Sequence, residues 1–112
     1  MISPLILAAV LAATVPDRAR PDCPLMVRFG SYAMGIDRPA AARIETFLAG
    51  RREVAQTQRR PWGREGEYDL CIRFKSKADP LGLFEALRPL VPAEPLGPIE
   101  VRMIDRAYGV TR

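Results

Sequence analysis

Tyr68, Leu70, Ile72 and Phe74 alternate without a break with Asp69, Cys71, Arg73 and Lys75. Successive side chains of an extended strand point to opposite faces, so this octet can bury one face and leave the other polar. The period recurs in Leu25, Val27 and Phe29 against Met26 and Arg28, and in Ile99, Val101 and Met103 against Glu100 and Arg102. A weaker, more polar version over Glu53–Arg60 suits an edge strand, joined to the strong strand through the turn cluster Pro61-Trp-Gly-Arg-Glu-Gly66. Between these segments the period changes. Ala40, Ile44, Phe47 and Leu48 form one helical stripe, with Asp37 as cap, Pro39 in the first turn and Gly50 as the stop, which predicts a helix over Arg38–Ala49. Asp79-Pro80 opens a second helix with the stripe Leu83, Phe84 and Leu87, reaching Leu90 or Val91 if it survives Pro89. The order strand–helix–strand–strand–helix–strand is that of an α+β, ferredoxin-like β-α-β-β-α-β plait. Its antiparallel sheet would run 4-1-3-2 with two helices on one face. The expected core is Val27, Phe29, Ile44, Phe47, Leu70, Ile72, Phe74, Phe84, Leu87 and Val101.

The start of the chain has a different character. Met1–Pro16 carries no charged side chain and contains the apolar run Leu5–Ala13, too short for the ~20 residues of a bilayer span. An apolar run followed by small residues and a polar start at Asp17-Arg18 reads as a signal peptide over 1–16, cleaved between Leu11 and Arg20. The expected division is then a short segment over 17–22, a single α+β domain over 23–107 and a C-terminal tail over 108–112. The mature protein would be exported to the periplasm or beyond the cell, with no stable membrane insertion. In an oxidising compartment Cys23 and Cys71 are expected to pair. Strand parity sets Cys71 and Cys23 on opposite faces of the sheet. Pro24 resolves this by keeping Cys23 out of the regular strand.

The residues that are missing exclude much chemistry. No histidine or asparagine occurs, which removes Ser-His-Asp and Cys-His nucleophile systems and histidine acid–base catalysis. Two cysteines 48 positions apart, with no CxxC, support neither a zinc site nor a redox pair, and nothing implies a cofactor. The chain carries 17 Lys+Arg against 13 Asp+Glu, net +4, and 15 of the cations are arginine. These are dispersed in runs no longer than two, unlike the dense stripe of a nucleic-acid binder.

Three patterns remain as candidates. Arg28, Arg73 and Arg102 fall on the sheet face away from the helices and would form a cationic strip for an anionic ligand, unless Asp69 and Glu100 neutralise it in cross-strand pairs. Trp62, the only tryptophan, sits beside Arg64 at a hairpin tip, where such residues serve as interface anchors if the indole does not fold back over the sheet edge. Pro89, Pro92, Pro95 and Pro98 recur every third residue, as along one edge of a polyproline II helix or in a stiff connector. Glu65, Glu67 and Asp69 share a face of an extended chain, but a hairpin flank offers no cleft for paired-carboxylate hydrolysis.

Val27-Arg-Phe-Gly-Ser-Tyr32 followed by an Ala-rich helix resembles the opening of the sporulation-related repeat over residues 27–49. That resemblance implies an exported plait that binds cell-wall glycan. Leu70–Lys75 lacks the glycine-proline-aromatic turn of that family. The residues themselves point first to a small exported non-enzymatic binding or accessory domain, its partner a protein or an envelope polymer. The alternative from another class is a small enzyme acting on an anionic substrate held by the arginine strip.

Overall fold

The computed structural model of this protein describes residues 23–111. The expected signal peptide over 1–16, its cleavage region and the segment over 17–22 lie outside the described residues. The elements are β1 (Leu25–Phe29), α1 (Arg38–Ala49), β2 (Val54–Pro61), β3 (Tyr68–Phe74), α2 (Pro80–Ala86), a 3-10 turn (Arg88–Leu90), β4 (Ile99–Arg102) and β5 (Ala107–Val110). Asp37 caps α1 through its carboxylate and Pro39 stands in the first turn, as the sequence predicts. Asp79 caps α2 in the same way, and Pro89 ends the regular helix by forcing the 3-10 turn.

All strand pairs are antiparallel. The expected four-stranded 4-1-3-2 sheet is corrected to five strands in the order β2-β3-β1-β4-β5. The succession β4-β1-β3-β2 lies within it, and the addition is β5, where a tail over 108–112 is expected from sequence. Ala107-Tyr-Gly-Val is too short and too glycine-bearing to read as a strand alone. It forms one because β4 offers a free ladder and because Tyr108 packs edge-on against Phe84, ring centroids 4.8 Å apart. Gly109 is obligatory there: its φ is +132° and a Cβ would stand 2.1 Å from the Ile99 carbonyl oxygen.

Leu25, Val27, Phe29, Leu70, Ile72, Ile99 and Val101 share one sheet face and form a single core with Ala40, Ile44, Leu48, Leu83, Phe84 and Leu87 of the helical segments. Phe47 and Phe74, expected inside, are only partly buried against it. On the opposite face Met26 and Cys71 face each other in register and are also buried. Cys23, two residues before β1, is disulfide-bonded to Cys71 there, with Cα atoms 5.3 Å apart. A disulfide fits an oxidising compartment. Among the described residues no helix is long and apolar enough to cross a membrane.

Candidate functional site

The register gathers one set of chain connections at one end of the sheet. Phe29 lies opposite Tyr68 and Ile99, Pro61 opposite Tyr68, and Ile99 opposite Val110. The β1–α1 loop, the β2–β3 hairpin tip, the approach to β4 and the end of β5 therefore meet there. Asp37 ties two of them together. Its Oδ1 accepts from the Ala40 N–H at 3.0 Å and its Oδ2 accepts from the Leu96 N–H at 2.9 Å. The Gly30 N–H donates to the Pro98 carbonyl at 2.8 Å, and Gly97 must be glycine because a Cβ would lie 2.4 Å from the Gly30 carbonyl oxygen. Ser31 adds a further brace, its hydroxyl accepting from the Ala33 and Gly35 N–H groups and donating to Glu65.

Two of the predicted site residues, Arg28 and Trp62, come together at this end. Arg28 grips Asp69 with Nε and Nη2 at 2.9 and 3.1 Å, and Trp62 Nε1 donates to the same carboxylate at 2.9 Å. The guanidinium carbon lies 4.8 Å from the indole centroid, a cation–π contact. Hydrogen bonding by Asp69 outweighs desolvation and raises the Arg28 pKa further. Trp62 thus turns back over the open face of the sheet, yet it stays 38% exposed at the lip of a groove of about 290 Å³. Ser31, Glu67, Pro98 and Glu100 line that groove with Arg28 and Trp62.

The structure does not assemble the full arginine strip as an open anion platform. Arg28 is bound to Asp69 across the strands, and Arg102 reaches Glu100 along its own strand at 3.1 Å. Arg73 also has an interaction partner. Arg64 stands exposed on the hairpin tip, away from any ion pair among the described residues. The carboxylates are likewise committed: Glu65 accepts from Ser31, Glu67 accepts from the Glu65 N–H at 2.7 Å, and Asp69 is shared as above. Among the described residues there is no cluster of His, Cys, Asp and Glu that could hold a metal.

The proline series does not present one edge. Pro89 is in the 3-10 turn, Pro95 is buried and Pro98 packs beside Gly30, so the segment is a connector shaped by its environment.

A larger cleft of about 510 Å³ opens between α1 and the sheet, where Arg59 of β2 and Tyr68 of β3 face the helix. Most of its polar wall is satisfied internally, Arg38 at its edge being an exception among the described residues. Glu45 accepts both Nε and Nη2 of Arg59, at 3.0 and 3.1 Å, and the Tyr68 hydroxyl. Burial first, and then the bond to Glu45, push the Tyr68 phenol well above its ordinary value, so it remains a protonated donor. These groups hold one another as those of the smaller groove do, but Tyr68 is buried whereas Trp62 is exposed, and that makes the smaller groove the better candidate.

Sequence reasoning missed Ser31, the second carboxylate oxygen of Asp37 and the place of Pro98 against Gly30, having read Pro98 only as part of the proline series. Only Ser31, inside Gly30–Gly35, carries a local signal. The others depend on contacts between distant segments, Asp37 with Leu96 and Gly30 with Pro98. Comparisons with family models, curated proteins and solved structures find no match to this chain.

Proposed function

We propose that the chain is a small exported, non-enzymatic binding domain that meets a protein or an envelope polymer with the Trp62 end of its sheet. The observation that carries this reading is the placement of Trp62. Asp69 and Arg28 fix the indole in one orientation while leaving it exposed beside a groove, and a rigid aromatic at such a place anchors interfaces with little ordering cost. The disulfide supports export, and within the five-stranded sheet we read β2-β3-β1-β4 with the two helices as a ferredoxin-like plait extended by β5. The enzymatic alternative loses support because Arg28 and Arg102 are already committed to carboxylates.

A photo-crosslinking amino acid in place of Trp62, in the producing cell, tests the reading. Discrete adducts are expected from position 62, and none from a control at Lys77 beyond the far end of β3. Equal labelling from both positions, or none from either, would overturn it.

A further inference from the structure

We propose that the partner of this end surface is a second copy of the chain, joined about a two-fold axis. The inference rests on the contact reading above and names its partner. Six large apolar side chains stand exposed among the described residues, and four of them belong to the connections at this one end: Tyr32 (47% exposed), Met34 (96%), Trp62 (38%) and Leu96 (69%). Clustering of this kind marks an interaction surface, whereas single exposed residues do not. The loops that carry them are already braced by Ser31 and Asp37, so association has little backbone left to order.

Shape and charge both favour self-association. A two-fold contact must be self-complementary, each copy offering both halves. This end offers a projection, Met34 in the β1–α1 loop, and a recess, the groove where Trp62 and Pro98 stand among Arg28, Ser31, Glu67 and Glu100. Met34 of one copy entering the groove of the other sets a thioether against an indole, a favourable pairing, and symmetry makes it twice. Arg38 and Arg64 at the same end have no ion-pair partner among the described residues, while the exposed Glu94 brings opposite charge, as does Glu67, which bonds only a backbone N–H. Two-fold pairing sets the cations of one copy against the carboxylates of the other. An anionic bilayer would confront Glu65, Glu67 and Glu94 together and is the poorer occupant.

Sedimentation velocity of the purified oxidised protein from about 10 to about 500 µM tests this, a range that spans weak dimers. The wild type is expected to dimerise. Met34→Asp should weaken the dimer at least about a hundredfold, because symmetry counts each lost apolar contact twice. Ile104→Asp, equally exposed but at the opposite end, should change it less than about twofold. Both sites are solvent-facing, so thermal unfolding of the variants should match the wild type at dilutions where every form is monomeric. A wild type monomeric throughout, or equal effects of the two variants, would overturn the proposal. So would a monomer that co-sediments with phosphatidylglycerol vesicles. Crosslinks from position 62 to a molecule other than this chain, in a monomeric protein, would overturn the second copy yet leave the contact reading standing. Absence of any adduct removes that reading itself.

Discussion

Asp37 shows how much one side chain can decide. It is the only polar or charged residue among the buried set of the described residues, and each carboxylate oxygen has a backbone N–H to itself. The cap of α1 is readable from sequence, because Asp followed by Arg-Pro is a helix-start pattern. The bond to Leu96 is not readable, because nothing local links positions 59 apart. Replacing Asp37 with alanine removes a cap worth ~1 kcal/mol and leaves the part-buried Leu96 N–H without its acceptor at a cost of ~1–3 kcal/mol. Asp37→Ala is therefore expected to lower stability by about 2–4 kcal/mol, with Asp79→Ala, whose exposed cap holds a single N–H, costing about 1 kcal/mol or less. Urea denaturation midpoints at constant slope measure both. Equal losses would show that the Leu96 bond contributes nothing. Trp62 and the arginines divide the same way. The residue types drew attention correctly, but Asp69 decides their roles, and strand parity alone did not say that one carboxylate would take both Arg28 and Trp62.

At the level of elements, every period-2 and period-3.6 segment of strong contrast became the expected strand or helix, and the boundaries of α1 match those predicted. The element that was missed, β5, has the weakest local signal. It exists through tertiary packing: its ladder to β4, the edge contact of Tyr108 with Phe84, and the Tyr108 hydroxyl donating to the Phe84 carbonyl at 2.5 Å. Arg88 lies 4.0 Å from the centre of the same ring. Burial pushes the Tyr108 phenol up to about 12, partly offset by Arg88. Below pH ~10 the phenol keeps its proton in both folded and unfolded chains. Above that, the unfolded chain releases the proton first, so the unfolded state binds fewer protons and stability falls as pH rises toward the folded value. The ring is half-buried, so the loss is expected to be about 1 kcal/mol, well below the unscreened value. Tyr108→Phe should be less stable than the wild type by about 1 kcal/mol at pH 8, through the lost hydrogen bond, and the gap should close between about pH 10 and pH 12. Denaturant titrations across that range decide the matter. Parallel curves would mean that the hydroxyl does not hold β5 to α2.

For the whole molecule the disulfide is the widest constraint, and its sequence-level difficulty has a structural answer. Parity set Cys23 and Cys71 on opposite faces, which no disulfide can span, since the Cβ vectors must converge. β1 begins at Leu25, so Cys23 lies outside the regular strand, and Pro24 removes the ladder donor that would have extended it. Cys23 is then free to approach the outer face, where Cys71 sits buried opposite Met26. The bond closes a loop of 48 residues between β3 and the start of the domain. In the chain-entropy account such a loop stabilises by ~4 kcal/mol, a large part of the ~5–15 kcal/mol that separates folded from unfolded states. Reduction, or Cys23→Ser with Cys71→Ser, is therefore expected to lower the denaturation midpoint by an amount equal to about 4 kcal/mol. The sheet should persist below that midpoint, because β1 keeps its ladders to β3 and β4 on both sides. Thiol titration of the denatured, unreduced secreted protein should find no reactive cysteine. Intact mass should show a chain that begins between Leu11 and Arg20 and lacks two hydrogens. Two free thiols per chain would refute the bond, and a secreted form that retains Met1 would refute the signal peptide. The two measurements are read separately, the thiol count reporting on the bond and the starting residue on the proposed signal peptide.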